Sequence, residues 1–265
     1  MAVIVCTSAT GAPGVTTTTL GLALAWPRDV LLADCDRDPA QSVQAGYLRG
    51  LSFTGRGLNA VSRAQREGHP LAQHVWLQAV PLSSGTAPDR RFLPGFTHPG
   101  SAGLFEGAWT DLGHAFAELS GSGVDVLVDA GRAGRAGLPP GLIGSADVVL
   151  LLVNSTLRSL AATRLYLSGM AEQVASHTDR GTFALGVVGD QRPYSAAEIS
   201  AQFELPVWLT LAHDPESASV YLDGQPEPKR FADAALPRSL RAGASSLLDQ
   251  VNQLAAERAG LRRTS

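Results

Sequence analysis

The chain has 265 residues, of which 45% are hydrophobic and 17% are charged, so it can bury a large core within one α/β domain. A formal net charge of −3 excludes a general basic surface for DNA, and two cysteines exclude a disulfide framework. The longest apolar run, Val148 to Val153, is far too short to span a bilayer, and the first residues lack a basic segment with a cleavage signal. We therefore expect a cytoplasmic protein.

Short apolar runs alternate with helical patterns along most of the chain. The runs, interpreted as buried parallel strands, are Val3–Cys6, Val30–Ala33, Val124–Val128, Val148–Val153, Ala184–Val188 and Pro206–Leu211. The helical patterns are Thr17–Ala25, Pro39–Leu48, Leu58–Glu67, Trp109–Leu119, Leu157–Val174, Ser195–Phe203 and Leu240–Ala256. This alternation predicts one three-layer α/β domain over residues 1–265, with a mostly parallel sheet and helices on both faces.

The segment from Arg37 to Gly107 departs from that rhythm. We predict a strand at His74–Val80, followed by an irregular loop over residues 81–107, which are rich in Gly, Pro and Ser. Residues 259–265 are predicted to form a flexible tail. No repeat, linker or second domain is indicated.

The stretch from Gly11 to Thr19, GAPGVTTTT, follows the first predicted strand and leads into a helix. Small residues let backbone N–H groups approach phosphate oxygens, and the N-terminus of a helix favours anions. The hydroxyls of Thr17, Thr18 and Thr19 are placed to meet Mg²⁺ or phosphate. A tight turn of the Rossmann type, with no ligand, remains an alternative interpretation.

Carboxylates follow two further predicted strands. Asp34 and Asp36 come after the second strand, and Asp129 ends the strand VDVLVD before a Gly-rich loop. Acids at the carboxyl ends of parallel strands beside a phosphate loop suit Mg²⁺ and the positioning of water. Each of them has an alternative role as the cap of a turn, but their occurrence together favours a site.

These motifs resemble those of the ParA/MinD group of P-loop ATPases with a deviant Walker motif, and the resemblance covers nearly all of the chain. Asp34 and Asp36 match the group's D-x-D, and Asp129 matches its Walker B aspartate. The resemblance implies a P-loop NTPase fold, a homodimer, and bound ATP or ADP with Mg²⁺, although the pocket of this chain could also be empty. By this resemblance Thr18, Asp34 and Asp129 hold the metal, and Asp36 positions the attacking water.

The loop departs from the group's pattern K-G-G-x-G-K-[ST] because it contains no lysine. With Val15 on the variable position, Ala12 replaces the signature lysine and Thr17 replaces the lysine that holds the β- and γ-phosphates. The nucleotide-binding residues implied by this alignment are Gly11, Ala12, Pro13, Gly14, Val15, Thr16, Thr17, Thr18 and Thr19. Since a P-loop lysine stabilises the charge that develops during phosphoryl transfer, we expect very weak hydrolysis or none.

Three other residues are candidates near this site. Arg132 and Arg135 follow Asp129 in a switch-like loop and are candidates to supply the missing positive charge, the alternative being exposed loop charge. Asp190 stands where the group often has a base-binding asparagine. Within the group the pilus-assembly branch, TadZ/CpaE-like, resembles this chain most, on the string PGVTTT followed by LA and on the segment HVWLQAVP.

The resemblance and the missing lysines leave three functions open. The first is a dimeric localisation or assembly factor for a membrane-associated machine, such as a Tad-type pilus or a secretion ATPase, placed at the inner face of the membrane or the cell pole. The second is an active ATPase switch in DNA partition or division-site placement, and the third is an interaction domain that binds no nucleotide. The final helix and its arginines are compatible with membrane contact, but the Leu/Ala stripe favours packing on the sheet.

Overall fold

The structure, a computed structural model, describes residues 1–53, 55–83, 85, 88–178 and 181–264, with side chains up to residue 260. Eight strands form one sheet in the order β3-β4-β2-β5-β1-β6-β7-β8. Their bounds are β1 Val3–Ser8, β2 Val30–Asp34, β3 Val80–Pro81, β4 Arg90–Leu93, β5 Asp125–Arg132, β6 Val148–Asn154, β7 Thr182–Val188 and β8 Val207–Leu211. All neighbouring pairs are parallel except β3 and β4.

The helices of the described chain cover both faces of this sheet. Their bounds are α1 Val15–Ala25, α2 Ser42–Ala45, α3 Leu58–Arg66, α4 Leu71–Gln78, α5 Pro99–Leu104, α6 Trp109–Gly121, α7 Pro140–Ser145, α8 Leu157–His177, α9 Ala196–Phe203, α10 Pro215–Leu222 and α11 Ala235–Thr264. Side chains of α3 to α9 pack in one core, and side chains of α1, α2, α10 and α11 pack in the other. The predicted three-layer α/β fold is confirmed.

The central strands are buried on both sides, as their continuous apolar sequence requires. In β1, Val3 and Val5 belong to one core, whereas Ile4 and Cys6 belong to the other. Because side chains alternate along a strand, one apolar run supplies both layers. The carboxyl ends of β2, β5 and β1 therefore lie side by side at one edge of a rigid sheet.

Two predictions between Arg37 and Gly107 are wrong. The predicted strand His74–Val80 is mostly helix α4, which buries Ala72 and Val75 on one face, and only Val80–Pro81 remains extended. The predicted loop over residues 81–107 contains β4, which pairs parallel with β2, and helix α5. Residues 84, 86 and 87 of that prediction lie outside the described residues.

Strand β4 is difficult to see in the sequence because its four residues begin with two arginines. Arg90 donates through Nη2 to the carbonyl of Trp26 at 2.8 Å, and the Arg91 guanidinium lies 4.4 Å from the ring centroid of Trp76. Both arginines thus find partners while Phe92 and Leu93 enter the cores. The sheet gains a strand that a search for apolar runs does not detect.

Two other predictions also differ from the structure, in where a helix begins or ends. The helix predicted at Pro39–Leu48 shortens to Ser42–Ala45. Helix α11 continues to Thr264, so residues 259–264 extend a helix instead of forming a separate tail, and residue 265 lies outside the described chain. Its buried stripe packs on the sheet, and Arg258 pairs with Asp147 at 2.9 Å. No described helix is both long enough and apolar enough to cross a membrane.

Candidate functional site

The sheet order brings the predicted loop and the predicted acids to one place. Strand β5 lies between β1 and β2, and within it Asp129 is the register partner of both Cys6 and Asp34. The loop of residues 9–14 leaves β1 at this edge and leads directly into α1. Parallel strands thus place the two acids, from segments about a hundred residues apart in the sequence, beside the start of α1.

The loop ends at Gly14, whose left-handed backbone (φ 87°, ψ 44°) immediately precedes α1. A left-handed conformation is one that glycine adopts without strain. The Gly14 carbonyl accepts from the amide of Thr18 at 2.9 Å, and α1 has no side-chain cap. Helices α2 to α7 likewise have no side-chain cap, whereas α8, α9 and α10 are capped by Thr156, Ser195 and Asp214. The first N–H groups of α1 therefore remain open to an anion.

The threonines that face Asp129 differ from the one assigned from the sequence. The hydroxyls of Thr16 and Thr19 hydrogen-bond the Asp129 carboxylate, Thr19 at 3.5 Å. Helix α1 begins at Val15, so Thr16 is its second residue and lies one turn before Thr19. Thr18, the residue before Thr19, is also buried. The hydrogen bonds that the structure describes do not join its hydroxyl to Asp129. The hydroxyls beside Asp129 are thus those of Thr16 and Thr19, two positions before and one position after Thr18.

Asp129 and Asp34 form a buried acidic pair. Asp129 is 2% exposed, and its Oδ1 accepts from the amide of Gly131 at 2.9 Å. Asp34 accepts from the amide of Asp36 at 3.2 Å. Burial raises the pKa of both carboxyls above the ordinary value, and the neighbouring Asp129 raises the pKa of Asp34 further. Among the described residues, neither acid of this pair forms an ion pair.

Asp36 lies at the outer side of this pair, packed against Gly131. A Cβ on Gly131 would overlap the Asp36 carboxyl, and the φ of +57° also requires glycine there. Asp36 Oδ1 accepts from the amide of Asp38 at 2.9 Å. Burial raises the pKa of Asp36, while the Arg132 and Arg37 guanidinium groups oppose that rise. The carboxylate predicted to position water is thus next to the acidic pair.

The donors at this edge fit a hard cation such as Mg²⁺, because all of them are carboxylate or hydroxyl oxygens. None of the ion pairs in the described chain involves Asp34, Asp36 or Asp129. Among the described residues no group of three or more His, Cys, Asp or Glu side chains forms a complete metal site. A metal here would therefore need the Thr16 hydroxyl, water and phosphate oxygens as additional ligands, which is the usual arrangement for Mg²⁺ with nucleotides.

Asp190, the candidate for base recognition, lies at the end of β7 and contributes to a local turn. Its Oδ1 accepts from the amide of Ala196 at 2.6 Å. It lines a cavity of about 350 Å³ together with Gly189, Arg192 and His213. The cavity is open to a ligand, but one oxygen of Asp190 already holds the start of α9.

Arg132 and Arg135, the candidates for charge compensation, are exposed and line a cavity of about 460 Å³ that also touches Ala9 and Thr10. Ser8, which the sequence analysis missed, precedes these residues; it is fully buried and its hydroxyl has no partner in the described chain. Only its position at the end of β1 could have indicated it. The structure therefore brings together the loop, three acids and two arginines, and leaves Asp190 on a separate cavity.

No family model matches the chain, and no curated protein matches it in sequence. Solved structures do match the chain in fold. The MinC:MinD cell division complex of Aquifex aeolicus has a TM-score of 0.69 at 17% identity, covering 94% of this chain and 96% of that chain. A ParA family ATPase from Chlorobium tepidum has a TM-score of 0.67 at 15% identity (92% and 98% covered). MinD of Pyrococcus horikoshii with Mg-ADP has a TM-score of 0.64 at 19% identity (96% and 97% covered). The chain thus has the fold of the MinD and ParA-family ATPases.

Proposed function

We propose that the protein is a ParA/MinD-like nucleotide-binding factor that holds ATP or ADP with Mg²⁺ and hydrolyses ATP slowly or not at all. One observation carries this proposal: the uncapped start of α1 lies beside the buried acids Asp34 and Asp129, in a loop without lysine. In this proposal the uncapped start of α1 is the anion side of a nucleotide site, and the two acids are its metal side. The group that neutralises charge during phosphoryl transfer is missing.

Binding is assigned to the loop and to the acidic pair. The open N–H groups at Val15, Thr16 and Thr17 would donate to phosphate oxygens, since the helix dipole adds to their attraction for anions. Thr16, Asp34 and Asp129 would hold Mg²⁺, which supplies positive charge between the phosphates when it is bound. The solved Mg-ADP complex of a protein with the same fold supports this assignment.

Weak hydrolysis follows from the electrostatics of the loop. The only lysine in the chain is Lys229, which is exposed and follows α10, outside the loop. Phosphoryl transfer depends mostly on positioning and on stabilising the charge on the transferred group. Asp36 can still orient water beside the acidic pair, but no lysine of the loop lies against the phosphates.

The biological role is proposed from the fold and from the resemblance. A homodimer that places or assembles a membrane-associated machine fits a nucleotide site that binds but rarely turns over. The TadZ/CpaE-like resemblance favours a Tad-type pilus or secretion ATPase as the partner, and the MinC:MinD complex is an example of partner binding on this fold. The net charge of −3 gives no support to DNA as the partner.

The test is titration calorimetry with ATP and ADP, with and without Mg²⁺, beside a phosphate-release assay. We expect Mg²⁺-dependent binding with little or no phosphate release. Thr16→Ala should weaken the Mg²⁺-dependent part of the binding roughly tenfold, which corresponds to one charge-assisted hydrogen bond. Thr18→Ala tests the alternative assignment, because it removes the hydroxyl that the resemblance places on Mg²⁺; a loss of Mg²⁺-dependent binding in Thr18→Ala, and not in Thr16→Ala, would favour Thr18 as the ligand.

Two results would contradict the proposal. Absence of binding at millimolar nucleotide would favour an interaction domain with an empty pocket. Sustained phosphate release that is lost in Asp36→Ala would favour the active ATPase switch instead. Size-exclusion chromatography with and without ATP measures whether the proposed homodimer depends on nucleotide.

A further inference from the structure

Three arginines surround a cleft at the start of the phosphate loop. The cleft has a volume of about 460 Å³, and we call it the arginine cleft; its lining includes Arg37, Arg132 and Arg135, together with Ala9 and Thr10. Among the described residues of its lining, Asp38 is the only acid. The cleft is therefore a concave, positively charged surface on a protein whose net charge is negative.

The backbone fixes the cleft against the phosphate loop. The amide of Ala133 donates to the Ser8 carbonyl at 2.9 Å, and the amide of Gly134 donates to the Ala9 carbonyl at 3.1 Å. Arg132 is also the register partner of Ser8, at the end of the β1–β5 ladder. The segment that carries Arg132 and Arg135 thus continues the central sheet directly into the first residues of the loop.

The far side of the same segment is also held. The Arg37 guanidinium donates to the carbonyl of Gly137, and the Gln173 side chain of α8 forms two hydrogen bonds with the backbone of Leu138, at 3.0 and 2.8 Å. With both sides tied down, the arginines project from an ordered loop.

Two of these guanidinium groups form no ion pair with a described carboxylate. The ion pairs in the described part of the chain do not include Arg132 or Arg135. The positive charge of Arg132 attracts the Asp36 carboxylate and so opposes the rise in the pKa of Asp36. Arginine binds phosphate through two parallel N–H bonds and keeps its charge at every physiological pH. Unpaired arginines beside a phosphate loop fit phosphate as their ligand.

We propose that the arginine cleft receives the terminal phosphate of a nucleoside triphosphate and that Arg132 and Arg135 of the same chain bind its oxygens in the ground state, without taking the place of the loop lysine beside the β- and γ-phosphates. This inference rests on the proposed function, because it assumes that the α- and β-phosphates lie at the start of α1. The cleft then distinguishes ATP from ADP, since only the triphosphate extends to it. The nucleotide state, rather than hydrolysis, becomes the signal that the protein reads.

The experiment compares the affinities for Mg-ATP and Mg-ADP by titration calorimetry on the full chain. The variants are Arg132→Ala, Arg135→Ala and the double substitution, with Arg63→Ala, an exposed arginine of α3, as the control. We expect ATP to bind roughly tenfold to a hundredfold more tightly than ADP, as for one or two charge-assisted hydrogen bonds. The double variant should lose that preference while its ADP affinity is unchanged. Circular dichroism should show all variants folded, because the substituted side chains are exposed.

The outcomes separate this inference from the proposed function. Equal ATP affinity in the double variant and the unaltered protein overturns the arginine cleft as a phosphate site, while nucleotide binding stands. A loss of ADP affinity equal to the loss of ATP affinity also overturns it, because the arginines would then contact the inner phosphates. Absence of binding for both nucleotides in the unaltered protein overturns the proposed function and this inference with it.

Discussion

Strand β5 has a buried aspartate towards each end, and the two aspartates differ in the groups that neutralise their charge. Asp125 and Asp129 lie four residues apart on one face of the strand, and they are 0% and 2% exposed. The Asp125 carboxylate accepts from the amide of Ala2 (2.8 Å), from Trp26 Nε1 (2.8 Å), and from Arg28 Nε and Nη2 (2.8 and 3.1 Å). A cation and a full set of donors neutralise this end within the fold.

In the part of the chain that the structure describes, Asp129 has no such partners. It accepts from one backbone amide and from threonine hydroxyls, and its nearest charged neighbours are other aspartates. Buried charge is tolerated when it is paired, and a buried carboxylate without a cation is a place where a ligand is expected. The contrast is between Asp125, which the fold itself neutralises, and Asp129, to which the proposed function assigns Mg²⁺.

Asp125→Ala should have the largest effect on stability. It would leave the Arg28 guanidinium, the Trp26 indole and the Ala2 amide without their acceptor, and breaking a buried charge pair from one side typically lowers the free energy of unfolding by about 3–5 kcal/mol. Urea denaturation of the variant measures the change. Asp129→Asn is the matched control, which should not be destabilised. A loss below about 1 kcal/mol in Asp125→Ala would contradict the structural role, since surface-like substitutions fall in that range.

The pH dependence of stability should come from the other end of the strand. The folded pKa values of Asp34 and Asp129 are raised above the ordinary value of 3.8, so the native state binds more protons than the unfolded state. The contribution of these acids therefore falls as the pH rises from 3.8 through their folded pKa values. We expect thermal unfolding without Mg²⁺ to show a lower midpoint at pH 8 than at pH 5.

Substitution of the acids isolates that effect. Asp34→Asn and Asp129→Asn should raise the free energy of unfolding at pH 8 by about 1 kcal/mol or more, because each removes a charge that burial disfavours. Both variants should also lose any stabilisation by Mg²⁺ with nucleotide. If the variants show the same pH dependence as the unaltered protein, the pair is not the source of it.

The sequence predicts where the candidate site lies better than it predicts which threonine of the site contacts Asp129. Asp34 and Asp129 end continuous apolar strands, and parallel pairing alone requires neighbouring strand ends to meet. The threonine that faces Asp129 could not be chosen in the same way, because four consecutive threonines offer the same hydroxyl at every position. Only the left-handed Gly14 fixes where α1 begins, and hence selects Thr16.

The wrong predictions have a similar physical cause. In strand β4, Arg90 Nη2 donates to the carbonyl of Trp26 and Arg91 lies over the ring of Trp76, and contacts over such distances along the chain leave no local pattern. Helix α4 was interpreted as a strand because its apolar residues are contiguous, which fits either structure over a short run. Local pattern identified the elements that are buried on both faces, and tertiary contacts determined the rest.

The smallest effect is expected from Arg258→Ala, at the same edge of the sheet as Asp125. Arg258 pairs with Asp147 at 2.9 Å, but the two side chains are 29% and 28% exposed. An ion pair in contact with water contributes about 0–1 kcal/mol, and Asp147 keeps a second partner, because its Oδ2 also accepts from the amide of Val3. Urea denaturation should therefore place this variant within about 1 kcal/mol of the unaltered protein, with unchanged nucleotide affinity. A loss comparable to that in Asp125→Ala would mean that the last turns of α11 hold this edge together as firmly as the buried carboxylate does.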